Sequence, residues 1–419
     1  MTETSDRPVV EFDHHSRHYG EHSSEILSEL RDACPVGWSE TYGGFWVATR
    51  YDDVTRIAKA ADQFSSRLDI PNDGRSYTGQ QVPPVPSEVL IPINIDPPDT
   101  AAYRGLLYPY FGPKAAEELR PWVHEITNWC IDQHIESGEM DLVRDVLNPV
   151  PALVTLYLLG LDLRDWKAYA DPCHAAVYTP KGTERYEQVK ADMMVMRGLL
   201  EDAVRSRREM PVDDFIGQIV VAEVNGRRLT DEEILGILHL TVMGGVDTTT
   251  ALIAFALHYL GGNPTARTML RDDPSKLPMA CEEFLRHSSP VQGVARTANE
   301  DVVVGSQTIR ARDRVVISWA SANHDPAAFE DPDEVKLDRW PNRHGAFGHG
   351  PHRCLGSNIA RSEFQAVVEE VLKRMPDYTV AEDGVERYES IGSVNGYMAL
   401  PVRFTPGPSL GTVVEGLNG

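Results

Sequence analysis

The segment FGHGPHRCLG, Phe347 to Gly356, has the composition of a loop that presents one sulfur. Its glycines permit tight turns, and Cys354 falls at the entry to the apolar-periodic stretch Leu355 to Met375, which reads as a helix. At a helix start the unpaired N–H groups and the positive dipole end favour thiolate over thiol. Gly350 is expected to let backbone donors approach that sulfur closely. Such a sulfur suits an axial iron ligand. Taken alone, it equally suits an inert buried side chain, a nucleophile or a redox sensor.

A second group lies in MGGVDTTT, inside a long apolar run. A hydroxyl that leaves the helical ladder, here Thr248, opens a groove for dioxygen and water, and a neighbouring carboxylate, Asp247, relays protons as a general acid. Gly244 and Gly245 leave room beside the helix. The plainer alternatives are a back-bonded threonine and an aspartate in a structural ion pair. Glu283 and Arg286 stand at i, i+3 on another helix, a spacing that by itself is a common exposed pair of small value.

The elements that must position these residues are mainly helical. Thr230 followed by Glu233 is a capping-box signature, and the apolar run behind it continues from Ile234 to Leu260 before Gly261 and Gly262 stop it. The run is long enough to span a bilayer, but His239, Asp247 and Thr248 to Thr250 make a lipid-facing helix expensive, so a helix through a core is expected. Further helices are predicted over Ser23–Ala33, Tyr51–Ala60 and Leu277–His287, and several from Asp99 to Val221, broken at Pro113, Gly138, Gly160 and Pro180. A hairpin is expected from Val36–Thr41 to Gly44–Ala48, and strands over Val291–Ser318. Ser65 to Asp96, ending in VLIPINI, is too long for an ordinary connection and is expected to bind something. Residues 1–20 and 407–419 are expected to be flexible, with one unit over 21–406.

The chain of 419 residues carries 40 Lys plus Arg against 63 Asp plus Glu, and its net charge of −23 argues against a nucleic-acid groove or an anionic membrane as partner. Its five cysteines are scattered and show no C-x-x-C spacing, which points to a reducing compartment. The polar, acidic first residues lack the features of a secretory signal, so a cytoplasmic protein is expected.

Phe347, Gly350, Cys354 and Gly356 match F-x-x-G-x-x-x-C-x-G, and the segment resembles the haem-binding loop of cytochrome P450 enzymes. Gly244, Gly245, Asp247, Thr248 and Thr249 resemble the family's [AG]-G-x-[DE]-T-T signature. Glu283 and Arg286 resemble its E-x-x-R pair, which Arg339 completes from VKLDRW. With DPPDTAAYR and ANHDPAAFEDPDEVKLDR, these segments occur in the family's order across nearly the whole chain.

The resemblance implies a mainly α fold with a small β-rich region, the cytochrome P450 fold. It implies haem b (iron protoporphyrin IX) on Cys354, with Arg104, Arg296 and His352 at the propionates. Many members place a histidine where this sequence has Thr100; camphor-type members resemble it in lacking one. Thr248 and Asp247 would deliver protons in a monooxygenase reaction with dioxygen and two electrons. Those electrons are expected from a ferredoxin and its reductase, docking where Arg353, Arg361, Lys114 and Arg120 make a basic patch. The protein is expected to be a monomer. The pocket is expected to draw on Pro83–Ile95, Leu240–Asp247, Pro290–Val294 and Ser393–Tyr397, with Thr241 or Gln292 as orienting groups. Such a lining favours a small or medium hydrophobic substrate, a terpenoid or aromatic first and a fatty acid or steroid next. A peroxide-driven peroxygenase and a non-catalytic haem-thiolate sensor are the rivals, and the retained acid and alcohol pair counts against both.

Overall fold

The structure is a computed structural model describing residues 7–69, 77–84 and 88–417. Its helices are α1 (Arg17–Ala33), α2 (Tyr51–Lys59), α3 (Asp99–Phe111), α4 (Pro113–Asp132), α5 (Pro149–Leu159) and α6 (Trp166–Tyr178), followed by α7 (Glu184–Glu209), α8 (Phe215–Val221), α9 (Asp231–Gly262), α10 (Pro264–Asp272), α11 (Leu277–Ser288) and α12 (Ser357–Arg374). Pro113 opens α4, where its missing N–H would be unpaired in any case. At the start of α9 the capping box forms as expected. Glu233 N donates to the Thr230 hydroxyl at 3.2 Å, and Thr230 N donates to the Glu233 carboxylate at 2.8 Å.

Helix α9 is long and apolar enough to cross a membrane, yet 61% of its most apolar window is buried inside the protein. It packs against α5, α6, α7, α11 and α12, which makes it the axis of the helical core. The main sheet comprises β1 (Val36–Ser39), β2 (Phe45–Ala48), β3 (Phe64–Ser65), β4 (Gly293–Ala298) and β5 (Arg314–Ser318), in the order β1-β2-β5-β4-β3. β1 and β2 form the expected antiparallel hairpin, and β5 sets Val315 opposite Arg296 on β4. The architecture is thus mainly helical with small sheets.

Both terminal segments, expected to be flexible, are packed where they are described. Val10 N donates to Trp38 O at 2.9 Å and Trp38 N to Pro8 O at 2.8 Å, so the chain before α1 pairs with the open edge of β1. Phe12 and Tyr19 are buried, and the Ser16 hydroxyl caps a helix that begins at Arg17, ahead of the expected Ser23. At the other end the Asp132 carboxylate accepts from the amides of Leu410 and Thr412, each at 2.9 Å, and Val414 is fully buried.

Between β5 and α12 the chain is largely irregular, and a buried charge cluster holds it. Arg286 Nε and Nη2 donate to Glu283 at 2.8 and 2.9 Å, and Arg339 Nε donates to the same carboxylate at 3.0 Å. Lys336 N (2.8 Å) and Asn342 Nδ2 (3.1 Å) complete its shell. The remaining Arg286 donors reach the carbonyls of Asn323, Pro332 and Glu334. Burial alone would raise the Glu283 pKa; the Arg286 hydrogen bond, the Lys336 amide and Arg339 outweigh it and hold the carboxyl below its ordinary 4.5. Glu283→Gln is expected to cost about 3–5 kcal/mol in urea denaturation, because it leaves buried cations without their anion. A depressed carboxyl contributes its full stability above its unfolded value and loses it as pH falls through its folded one. The gap between wild type and variant should therefore be widest near neutrality and close below about pH 4.5; a gap that stays constant into acid would contradict the ion pairing.

Candidate active site

Cys354 is the one exposed cysteine of five, and it opens into a cavity between α9 and α12 rather than onto the outer surface. Its own amide donates to Phe347 O at 2.7 Å, closing the loop on itself. Helix α12 starts at Ser357 with Gly356 as its N-cap, so the sulfur stands on the loop just ahead of the helix. Burial pushes the thiol above its ordinary range; the Gly356 amide and then Arg353, Arg104 and Arg361 oppose this without overcoming it. The helix start therefore does not by itself secure a thiolate, as the sequence led us to expect. A metal cation at the sulfur would.

Gly350 serves a different end from the expected one. Its φ is +72°, and a Cβ there would lie 2.6 Å from Ala58 O and 2.9 Å from Lys59 Cα. The close approach is to the end of α2, which seats the loop.

Three donors on the same cavity wall have no carboxylate bonded to them. Arg296 is 3% exposed and bonds only the carbonyl of Ala295, at 2.9 Å. Burial lowers it to about 10, an effect Asp96 partly offsets. Arg104 has no hydrogen-bond partner among the described residues, and burial depresses it as well. His352 lies 2.9 Å from the Ser66 hydroxyl, and burial, Arg296 and Arg104 together lower it to about 3, so the imidazole is neutral. Asp96, whose charge acts on Arg296, is engaged by the hydroxyl of Ser65 and the amide of Ser66. Thr100 does not reach this group, since its hydroxyl donates to Ile95 O. One accessible thiol and two arginines without a bonded carboxylate, around a largely apolar cavity, fit a large apolar group that has anionic arms and takes one sulfur ligand.

Helix α9 forms the opposite face. Gly244 meets nothing where a Cβ would sit and leaves open space in the cavity; Gly245 is needed instead for packing, since its Cβ would lie 2.5 Å from Thr155 Oγ1 on α5. Thr248 lines the cavity, but its hydroxyl donates to Gly244 O at 2.8 Å, and the helix stays regular without the expected groove. Asp247 is absent from the cavity wall. It is 1% exposed, and its Oδ1 lies 2.6 Å from both His174 Nδ1 and the donating Tyr388 hydroxyl, while Oδ2 has no partner.

The rest of the lining follows the expected segments in part. Ile91, Ile93, Leu240, Thr241, Val291 and Val294 face the cavity. Gln292 does not: its amide donates to Ser289 O at 2.6 Å and it is buried behind the strand. Tyr397 is held by His258 and Arg387 instead. Arg361, expected on a free basic patch, is paired with Glu282 at 2.6 and 2.8 Å and stacks on Phe347. Glu363 on α12, unnoticed in the sequence, lines the cavity with Oε2 unpartnered, and burial raises it to about 8.

Residues 131–376 match the family model described as Cytochrome P450. The chain is 33% identical to "Probable cytochrome P450 127A1" of Sinorhizobium fredii, over 81% of this chain and 78% of that protein. It is 32% identical to a "Steroid C26-monooxygenase" of Mycobacterium tuberculosis, over 78% and 89%. The crystal structure of CYP109E1 from Bacillus megaterium with testosterone superposes with a TM-score of 0.82 at 30% identity, covering 93% of this chain and all of that one. The chain belongs to the cytochrome P450 family, and it is a monooxygenase of the oxidoreductase class.

Gly350→Ala is expected to destabilise the protein by at least the roughly 1–2 kcal/mol of the left-handed backbone, more if α2 cannot yield. Chemical denaturation measures this, and an unchanged midpoint would show that the loop is not seated on α2.

Proposed function

We propose that the chain holds haem b on Cys354 and inserts one atom of dioxygen into an unactivated C–H bond of a hydrophobic substrate. What supports this reading is the meeting, around one largely apolar cavity, of a lone accessible thiol, the arginines Arg104 and Arg296 with no carboxylate bonded to them, His352 and the hydroxyl of Thr248. The arginines and His352 would take the carboxylate arms, which guanidinium groups bind in bidentate fashion. Phe347, Gly350 and Gly356 shape the cysteine loop, while Gly244 leaves space on the cavity side of α9 and Gly245 lets α9 pack on α5. Bound there, the cofactor supplies dioxygen activation, assisted by electron density from the proximal thiolate.

The protein's part is then to place the substrate, exclude water and move protons. Thr248 Oγ1 is the proton-bearing group on the wall, and it must turn from Gly244 O to donate into the cavity. Asp247 stands behind it as the acid, with Oδ2 free and Oδ1 held by His174 and Tyr388. Turning away from those two donors is the step that would let the carboxylate carry a proton, taken up from water, to the cavity side. This arrangement makes the acid a gated one. Electrons are taken from a ferredoxin and its reductase, with Arg353, exposed beside Cys354, as a cation left for docking. The charge and the burial of α9 support a cytoplasmic monomer. The lining suits a terpenoid or an aromatic, and the steroid class named for a relative belongs in the first screen.

The absorption spectrum of the reduced, carbon-monoxide-bound protein tests the ligand. A red-shifted Soret band that Cys354→Ala abolishes is expected, and its absence from folded, haem-loaded protein would overturn the reading. Thr248→Ala is expected to divert most of the consumed dioxygen to peroxide, lowering product per dioxygen by about tenfold or more, in line with general-acid contributions. Fully coupled turnover in that variant would remove Thr248 from the relay.

A further inference from the structure

A second cavity adjoins the one over Cys354, and the two share Gln80, Ile93, Leu240, Gly244, Val291 and Val294. Among the described residues Gln80 is the one amide side chain on the wall of the first cavity, and it stands where the two cavities meet. Its backbone is fixed by the main sheet. Ala295 N of β4 donates to Gln80 O at 2.7 Å, and Arg314 Nη2 of β5 donates to the carbonyls on either side, Gly79 O at 2.9 Å and Gln81 O at 3.1 Å.

The side chain is fixed as well. Nε2 donates to Ile93 O at 2.9 Å. A carbonyl only accepts, so the end of the amide that meets Ile93 is its NH2 and the other end is its oxygen. That oxygen, Oε1, accepts from no described residue and remains accessible. Two hydroxyls on the same wall are already spent along α9, Thr241 on Ile237 O and Thr248 on Gly244 O, each at 2.8 Å. Asn94, on the second cavity, is committed at both ends, its Oδ1 to the Leu90 amide at 3.1 Å and its Nδ2 to Ser66 O at 3.4 Å. An acceptor repels the anionic arms that Arg104 and Arg296 would take, so Gln80 Oε1 is left for the substrate. A preorganised polar atom on a mostly apolar wall is what fixes the orientation of an apolar ligand.

We propose that Gln80 is a specificity-determining residue whose Oε1 accepts a hydrogen bond from a hydroxyl already present on the apolar skeleton of the substrate, at the junction of the two cavities. The proposal rests on the cavity being the active site, and it narrows the substrate class from hydrophobes at large to hydroxyl-bearing hydrophobes. It also assigns to Gln80 the orienting role expected of Thr241 or Gln292. A hydroxyl held there fixes which carbon of the skeleton faces Thr248 and Cys354. A ketone on the same skeleton carries no proton to donate and would set its oxygen against Oε1.

Isothermal titration of the haem-loaded protein with menthol, cyclododecanol and testosterone, each beside its ketone (menthone, cyclododecanone and androstenedione), tests this. At least one alcohol is expected to bind about tenfold more tightly than its ketone, the size of one hydrogen bond gained against an acceptor left unpaired. Gln80→Met keeps the length of the side chain and removes the oxygen, and it should bring that alcohol to within about twofold of its ketone. A variant that merely loosened the wall would weaken both partners alike and leave their ratio standing, and a ratio that stands in Gln80→Met would overturn the proposal. So would a wild type that prefers no alcohol to its ketone, a comparison that needs no variant. Calorimetry needs no turnover, so these outcomes are separate from the carbon-monoxide spectrum that tests the thiolate ligand.

Discussion

A single buried carboxylate, Glu283, ties α11 to the irregular chain that carries the cysteine loop. A stretch with so few ladder hydrogen bonds of its own has little to fix its path, and five donors from four residues converge on that one side chain. The neighbouring Glu282 acts on the other side of the loop, accepting from His344 at 3.1 Å and from Arg361 of α12. Adjacent carboxylates thus brace the segment before and after Phe347. Buried ion pairs add little net stability over apolar packing, but they fix register, and here the register decides where one sulfur points.

The same economy appears in α9, where adjacent residues face different environments. Gly244 gives space to the cavity, Gly245 gives it to α5, Thr248 shows its hydroxyl to the site, and Asp247 turns into the packed protein toward His174 and Tyr388. A rigid helix can keep an acid and an alcohol next to each other in sequence while separating them by environment. In the proposed mechanism the proton supply is then governed by how readily Asp247 leaves two strong hydrogen bonds, not by its distance along the chain.

Much of this was legible locally. The capping box, the long apolar run, the hairpin and the turn-rich cysteine loop are written in neighbouring residues, and the helical breaks follow Pro and Gly. Other features depend on contacts between distant residues: His174 and Tyr388 on Asp247, Glu363 on the cavity wall. Nothing near those residues in sequence distinguishes them from ordinary surface or core positions. Gln292 was misread because a polar residue on an alternating strand points to either face, and here nearby carbonyls claimed its amide. The terminal segments looked loose because their polar composition hides the few apolar anchors, Phe12, Tyr19 and Val414, that decide their packing.

The charge distribution links site and fold. In a chain of net charge −23, the cavity wall holds two arginines with no bonded carboxylate, one of them depressed to about 10 by burial. Some buried arginines elsewhere are paired with carboxylates, Arg286 with Glu283 and Arg374 with Asp132 at 2.7 Å, while Arg31 and Arg267 are met by a hydroxyl and carbonyls. The two cavity arginines differ from these in facing open space. The unpaired wall carries a desolvation cost that only an anionic partner relieves. A ligand that binds the folded chain and not the unfolded one adds its binding free energy to stability, so the wall that would hold the proposed cofactor also makes the fold depend on it.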